Sequence, residues 1–380
     1  MERTEALTAW LRENIAAQGP LPFRAFMEAA LYHPTLGYYR RDEPVPVGRR
    51  GDFYTNVSVG PLFGQLLGLQ FAQMWELLGS PPAIALIEQG AHNGLFLRDL
   101  LDSLRRDRPA FYQAVHAVLL EPSPALRSLQ AQTLSAHAEK ITWHPTPASV
   151  GTPFPHALFF SNELVDSFPV HRIVKTADGW QESHVAWADG FVWRNLPLAN
   201  PSLAEAIAAF PPDLPLGYTT EVNLQARAWI AGVAALFERG YVVTVDYGYP
   251  ASRYYAPERS EGTLLCYQSH RKSADPLAAV GAQDITAHVD FTALAQAGAA
   301  AGLRPLGFTD QHHFLVGLLQ AFPDLLAGAD PASQRAFQTL MHPELMGTPF
   351  KYLVQGKNTP PPRPAGLAFA RPGTDLHTLD

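Results

Sequence analysis

The sequence contains almost no cysteine, because Cys266 is the only one among 380 residues. An internal disulfide is therefore excluded, and so are metal sites built from several cysteines. The phosphate-loop pattern G-x-x-x-x-G-K-S/T is absent. No apolar run approaches the roughly eighteen residues that cross a bilayer, so we expect no membrane insertion. These absences favour a reducing compartment, and we predict a cytoplasmic protein.

Charged residues are also sparse, at 17% of the sequence, and the formal net charge is -7. An acidic balance of this kind argues against a general binder of nucleic acid. The histidines His312-His313, or His270 with His288, invite a metal hypothesis, but no acids stand beside them at ligand spacing. We predict no metal site. The length and the 47% hydrophobic content predict one large or two ordinary domains with an ample core.

One stretch combines an apolar strand, a glycine-punctuated loop and an amphipathic helix. It runs from Ile84 to Leu101, with Glu88 at the end of the apolar run and Gly90 and Gly94 in the loop. Such a turn lets the backbone approach a ligand and presents the free N–H groups of a helix N-terminus. Many α/β proteins also use it simply to change direction, so the turn alone leaves both interpretations open.

Polar residues end several of the strands that follow. From Ala83 the pattern alternates between strand and helix, which predicts an α/β fold with a mostly parallel sheet and helices on both faces. Ligands of such sheets bind beyond the carboxyl ends of the strands. The polar residues at these ends are Glu88, Glu121, Asn162 with Glu163, and Asp246. Their shared position favours a ligand site over a purely structural turn.

Proline clusters and changes of pattern divide the chain into segments. We predict an N-terminal helical and lid segment at 1–80, an α/β core at 81–169 and 240–357, an insertion at 170–239, and a flexible proline-rich tail at 358–380. The Asp178-Gly179 and Asp189-Gly190 turns indicate an antiparallel meander within the insertion. A long helix from Thr220 to Arg239 is expected to follow the meander.

The strand-end acids suit a ligand that carries hydroxyl and ammonium donors. A dinucleotide site has the pattern G-x-G-x-x-G, with an acid about twenty residues later, whereas His92 and Asn93 stand between Gly90 and Gly94 here. Carboxylates repel phosphate but accept hydrogen bonds from a ribose diol and an amino group. S-adenosylmethionine has these features, and we predict it as the cofactor.

A series of short motifs keeps one order between Leu21 and Phe314. The motifs are Phe26-Met27, Ala30-Leu31-Tyr32-His33-Pro34, Gly37-Tyr38-Tyr39, Gly51-Asp52-Phe53 with Thr55, Pro61-Leu62-Phe63-Gly64, Glu88 with Gly90 and Gly94, Glu121-Pro122-Ser123, Asn162-Glu163-Leu164 with Asp166 and Pro169-Val170, Asp246-Tyr247-Gly248, and Asp284-Ile285-Thr286-Ala287-His288-Val289-Asp290-Phe291. In this order they resemble the MidA-like family of S-adenosylmethionine-dependent methyltransferases, whose mitochondrial members act on an arginine of a respiratory complex I subunit during assembly. One departure is His92, which replaces the middle glycine that many members have; histidine tolerates positive φ better than most residues.

The resemblance implies a class I methyltransferase (Rossmann-like) core and a role for each matching residue. The implied cofactor-binding residues are Glu88, Gly90, Ala91, His92, Gly94, Glu121 and Pro122, with Gly51, Asp52, Phe53 and Thr55 as a lid. The catalytic candidates are Asn162, Glu163 and Asp166. Asp246, Tyr247, His288 and Asp290 are candidates for substrate binding or for support behind the site. Asp246 is equally a strand cap, whereas for His288 and Asp290 the favoured interpretation is that they organise the loop before the Phe291 helix, with a pocket role as the alternative.

We therefore predict an S-adenosylmethionine-dependent methyltransferase that modifies a protein side chain, with arginine favoured by the resemblance. A protein substrate and a homodimer are the expected partners. Two alternatives remain: a non-catalytic assembly protein that retains the fold, and a nucleotide-dependent oxidoreductase.

Overall fold

The computed structural model describes residues 2–40, 55–268 and 271–370. The helices of this part of the chain are α1 (Glu2–Gln18), α2 (Phe23–Tyr32), α3 (Leu62–Leu77), α4 (Leu95–Asp107), α5 (Pro109–Ala114), α6 (Pro124–Thr133), α7 (Pro201–Ile207), α8 (Leu224–Ala235), α9 (Ala251–Tyr254), α10 (Phe291–Ala300), α11 (Gln311–Ala321) and α12 (Pro331–Met341). Within the same residues, no helix is long and apolar enough to span a bilayer.

The strands fall into three sheets. In chain order they are β1 (Leu21–Pro22), β2 (Ile84–Gln89), β3 (Val115–Leu120), β4 (Ile141–His144), β5 (Phe154–Asn162), β6 (His171–Thr176), β7 (Gly179–Trp187), β8 (Phe191–Pro197), β9 (Thr219–Val222), β10 (Phe237–Tyr249), β11 (Leu265–Gln268), β12 (Arg271–Ser273), β13 (Asp284–Thr286), β14 (Val289–Asp290), β15 (Arg304–Asp310) and β16 (Phe350–Lys357).

The central sheet has the order β4-β3-β2-β5-β10-β16-β15, and β14 pairs with β10. The first five strands are parallel, and β16 runs antiparallel to both of its neighbours. Helices α3, α4 and α11 pack on one face and α8 and α10 on the other, which explains why β2 and β3 are apolar along almost their whole length. The predicted α/β fold with a mostly parallel sheet is confirmed.

The strands β6 to β9, which follow β5 in the chain, form an antiparallel sheet together with β1. Its order is β1-β7-β6-β9, with β8 paired to β7, and its apolar face packs against α1 and α2. A third small sheet, β12-β11-β13, is antiparallel throughout. The sequence predicted the antiparallel meander but not the third sheet; the domain boundaries themselves stay a prediction.

The long helix predicted from Thr220 to Arg239 is wrong at both ends. Residues 219–222 form β9, which pairs antiparallel with β6, because β-branched side chains favour extended backbone. Asn223 then begins the helix, since its Oδ1 accepts a 2.8 Å hydrogen bond from the Ala226 N–H. The helix α8 ends at Ala235, and β10 starts two residues later.

The predicted flexible tail is also wrong for part of its length. Ala365–Leu367 form a buried 3-10 turn against α3 and α11. The side-chain oxygens of Gln73 and Gln70 accept hydrogen bonds from the N–H groups of Ala365 and Gly366, both at 2.7 Å. These glutamines give the proline-rich chain a docking site, whereas residues 371–380 lie outside the described part.

Candidate functional site

A cavity of about 890 Å³ lies at the carboxyl ends of β2, β3, β5 and β10. The predicted site residues that line it are Thr55, Glu88, Gly90, Ala91, His92, Glu121, Pro122, Asn162, Glu163, Asp166, Tyr247 and His288. Gly94, Asp246 and Asp290 are not among its lining residues. Gly51, Asp52 and Phe53 lie outside the described residues, so the predicted lid is represented only by Thr55, which caps a 3-10 turn at 56–59.

The loop between β2 and α4 runs under the cavity with left-handed backbone at three positions. Gly90 has φ 84°, and a Cβ there would lie 3.4 Å from the Leu164 side chain. His92 adopts φ 44°, so histidine does take the conformation expected of the missing glycine. Gly94 has φ 78° and begins α4. At Gly90 the loop therefore lines the cavity with backbone alone, and the positive φ would strain a residue that carries a side chain.

Glu88 ends β2 with a carboxylate that lacks a full set of donors. Its side chain is 4% exposed, and Oε2 has no hydrogen-bond partner in the described chain. Burial raises the pKa of Glu88 to about 8, since a buried carboxylate loses its hydration. A ligand that brings an N–H or O–H donor to Oε2 would satisfy this atom.

Glu121 follows β3 and is held by two neighbours. Its Oε1 accepts from the Ser123 N–H at 2.8 Å, and its Oε2 accepts from Gln130 Nε2 at 3.3 Å. Burial raises the pKa of Glu121, and these two hydrogen bonds partly offset the effect. Gln130 Nε2 also donates to the His92 carbonyl at 2.9 Å. One glutamine thus fixes Glu121 relative to the glycine loop.

Asn162 and Glu163 form a bonded pair at the end of β5. Asn162 Nδ2 donates to Glu163 Oε1 at 2.8 Å, and the Tyr247 hydroxyl approaches Glu163 Oε2 at 3.4 Å. Glu163 has φ 51°, a left-handed backbone conformation that residues other than glycine rarely adopt. Burial raises the pKa of Glu163 to about 8, and the nearby Asp246 adds to the rise.

Asp246 holds the loop that carries the catalytic candidates. Its Oδ2 accepts from the N–H groups of Leu164, Val165 and Asp166 at 3.2, 2.8 and 3.4 Å, and its Oδ1 accepts from Tyr247 at 2.8 Å. Burial nevertheless raises its pKa to about 7. Asp246 therefore anchors the 164–166 loop behind the cavity, and its support of the site stays a prediction.

Asp166 is a second carboxylate of the cavity, and its side chain is 7% exposed. Its pKa is raised well above the usual range, first by burial and then by repulsion from Asp246, Asp284 and Glu163. Among the described residues, no lysine, arginine or histidine forms an ion pair with Asp166 or Glu163. This part of the cavity is thus rich in buried carboxyl groups that lack an ion-pair partner among the described residues, although Arg40 and Lys272 also line the cavity.

The structure places His288 and Asp290 in different environments. His288 lines the cavity, and burial lowers its pKa to about 4, so the imidazole is neutral. Asp290 instead caps α10, with Oδ1 accepting from the Ala293 N–H at 3.0 Å and Oδ2 from the Tyr255 hydroxyl at 2.9 Å. Asp290 thus lies behind the cavity as a helix cap, and a role for it in substrate binding stays a prediction. Within the described ranges, no group of three or more metal-ligating side chains comes together; His270 lies outside them.

Four residues of this region escaped the sequence reasoning. Tyr32, Tyr39 and Asp284 line the cavity, and the fully buried Asn56 donates from Nδ2 to Asn162 Oδ1 at 3.2 Å. They lie inside the recognised motifs or beside them. The available signal was the clustering of aromatic residues near residues 32–39, which predicted packing as readily as a site.

These donors and acceptors fit the predicted cofactor. An unsatisfied buried oxygen on Glu88, a glycine that lines the cavity at Gly90 and a fixed acid at Glu121 suit an amino group and a ribose. Residues 66–309 match the family model described as "Putative S-adenosyl-L-methionine-dependent methyltransferase". Since the match covers more than half of the chain, the protein belongs to this family of S-adenosylmethionine-dependent methyltransferases.

Similar proteins agree with this assignment. A crystal structure of a COG1565 superfamily member from Burkholderia thailandensis bound to S-adenosyl-homocysteine is 33% identical, with a TM-score of 0.87, and covers 98% of this chain and 97% of that one. The Drosophila melanogaster protein arginine methyltransferase NDUFAF7 homolog is 28% identical over 92% of this chain and 84% of its own length. The human protein arginine methyltransferase NDUFAF7 is 28% identical over 90% and 82%, respectively.

These findings confirm the predicted family, cofactor and enzyme class, and they exclude the oxidoreductase alternative. The predicted cytoplasmic location is contradicted, because the curated relatives are named as mitochondrial proteins.

Proposed function

We propose that the cavity holds S-adenosylmethionine against the glycine loop and presents a protein arginine to it. Glu121 would accept hydrogen bonds from the ribose hydroxyls, and Glu88 Oε2 from a donor of the amino-acid end. Gly90, Ala91, His92 and Pro122 would shape the surrounding wall. What supports this arrangement is the buried oxygen of Glu88, which lacks a donor in the described chain.

The observation that carries the arginine assignment is the pair of acids Glu163 and Asp166, which line the cavity and form no ion pair with any described lysine, arginine or histidine. A guanidinium presents planar N–H donors that match carboxylate oxygens. Its positive charge would offset the burial that raises the pKa values of both acids. The names of the relatives point to the same side chain.

The cofactor supplies an electrophilic methyl group on a sulfonium. The protein then has to aim one guanidinium nitrogen at that methyl group, keep water away and accept the proton that the nitrogen loses. Glu163 is oriented for this task, since Asn162 and Tyr247 hold its two oxygens. Asp166 would share the charge, and Asp246 would keep both residues in place through backbone N–H groups.

The test compares Glu163→Gln with the wild type on an arginine-containing peptide. We expect transfer to fall by about 100-fold or more, because both charge pairing and proton acceptance are lost, while the affinity for S-adenosylhomocysteine changes less than about twofold. Glu205→Gln, at an exposed position of α7, is the matched control. Equal loss of transfer and cofactor affinity would make Glu163 a cofactor ligand instead.

A respiratory complex I subunit, which the resemblance implied as a substrate, is the protein class we propose to test first. Homodimer formation stays a prediction.

A further inference from the structure

One wall of the cavity is built by two stacked tyrosines and an acid from the third sheet. Tyr39 lies in the 3-10 turn Tyr38–Arg40, and Asp284 begins β13. The Tyr39 hydroxyl donates a 2.7 Å hydrogen bond to Asp284 Oδ1. The Tyr32 ring stacks on the Tyr39 ring with centroids 5.4 Å apart and an interplanar angle of 28°. Asp284, Tyr32 and Tyr39 thus form one continuous wall, and all three line the cavity.

This wall is joined to the loop that carries Asp166. The Tyr32 hydroxyl lies 2.9 Å from Ser167 Oγ and 3.1 Å from the Ser167 carbonyl. The Ala287 N–H, at the end of the β13 segment, donates to the Asp166 carbonyl at 2.9 Å. Asp284 is close enough to raise the pKa of the Asp166 carboxyl by repulsion. Asp284 and Asp166 therefore face the same space from two separate elements.

The wall is fixed before any substrate arrives. The Arg3 guanidinium in α1 donates to the carbonyls of Thr35, Gly37 and Arg40 at 2.7, 3.3 and 3.0 Å. These bonds bracket the turn that carries Tyr39. Burial also keeps the Tyr39 hydroxyl protonated, because its pKa lies well above the usual range. Tyr39 is therefore a permanent donor to Asp284.

We propose that Asp284, held by Tyr39, is a further substrate-binding carboxylate of this cavity, and that with the Tyr32 and Tyr39 rings it selects a guanidinium over the ammonium group of lysine. A guanidinium has five N–H donors in one plane, so it bonds to carboxylates on two sides and lies flat against aromatic rings. A lysine ammonium is compact and strongly hydrated, and it matches this wall poorly. The inference rests on the proposed function for the role of Glu163 and Asp166.

The test measures binding to protein saturated with S-adenosylhomocysteine. Acetyl-arginine amide and acetyl-lysine amide are titrated separately and followed by chemical-shift changes. We expect the wild type to bind the arginine probe about tenfold or more tightly than the lysine probe. Asp284→Asn should weaken arginine binding by about 10- to 100-fold, as expected for a lost hydrogen bond to a charged group, and remove the preference. Tyr39→Phe should weaken it less, because Asp284 remains.

Asp178→Asn removes an exposed acid at the turn between β6 and β7 and is the matched control. Unchanged affinity for S-adenosylhomocysteine shows that a variant keeps its cofactor site, and Tyr39→Phe carries the test if Asp284→Asn does not fold. Wild-type affinities that are equal for the two probes would overturn the inference, as would full arginine binding by both variants.

The experiments distinguish a failure of the proposed function from a failure of the inference about Asp284. If Asp284→Asn binds and methylates arginine like the wild type while Glu163→Gln does not, the further inference fails and the proposed function stands. If the wild type methylates no arginine peptide but prefers the arginine probe through Asp284, the proposed reaction fails and the subsite stands.

Discussion

Replacing Glu88 by glutamine is expected to stabilise the ligand-free protein and to weaken its affinity for S-adenosylhomocysteine. Glu88 is 4% exposed, and burial raises its pKa from the ordinary 4.5 to about 8. At neutral pH the side chain is ionised in the unfolded chain but takes up a proton on folding. The free energy of unfolding of the wild type therefore falls as the pH rises from about 4.5 to about 8.

The magnitude follows from the pH interval. For one proton taken up on folding, the free energy of unfolding falls by about 1.4 kcal/mol per pH unit. Protonating Glu88 therefore costs about 3 kcal/mol at pH 7, counted from the ordinary pKa of 4.5, and about 0.7 kcal/mol at pH 5. Glutamine does not titrate. The variant should thus exceed the wild type in unfolding free energy by about 3 kcal/mol at neutral pH and by less than about 1 kcal/mol at pH 5.

The assay is urea unfolding followed by tryptophan fluorescence at several pH values between 5 and 8, without ligand. Calorimetric titration with S-adenosylhomocysteine on the same samples should show weaker binding by the variant, because the Glu88 carboxyl can ionise when a ligand donor reaches it, whereas an amide cannot. Glu205→Gln controls for the loss of an exposed charge. A stability difference that does not grow with pH would refute the argument from burial.

Two further results are expected. Asp246→Ala leaves four backbone N–H groups without their acceptor, so the free energy of unfolding measured in urea should fall by at least about 3 kcal/mol. Asp246→Asn should reduce it less, because the amide oxygen keeps some of these hydrogen bonds. Equal losses for the two variants would contradict this expectation. The wild-type kcat/KM for an arginine peptide should rise with pH, reach half of its maximum near pH 8 and level off above that, since the ionised Glu163 binds the cation and its pKa is about 8; a flat stopped-assay profile between pH 6 and 8 would contradict it.

The strand-end acids could be placed from the sequence because parallel strands bring their carboxyl ends to one edge of a sheet. Glu88, Glu121, Asn162 and Glu163 all line the cavity for this reason. The hydrophobic period located the strands, and the residue after each strand followed from it.

The tyrosine wall could not be predicted in the same way. Tyr39 and Asp284 are 245 residues apart and come together only because the N-terminal turn and the third sheet pack on the same core. For Asp290 the sequence was ambiguous, because an acid directly before a helix can be either a site residue or a helix cap. In the structure Asp290 caps α10. The predicted helix from Thr220 to Arg239 likewise begins later than expected, because Asn223 caps the N-terminus of α8.

The most direct test of the account is a crystal structure of this protein with S-adenosylhomocysteine. We expect the ribose hydroxyls within hydrogen-bond distance of Glu121 and a ligand N–H or O–H donor on Glu88 Oε2, with the sulfur facing Glu163 and Asp166. A nucleoside bound elsewhere, or one that leaves both Glu88 and Glu121 without contact, would contradict the account.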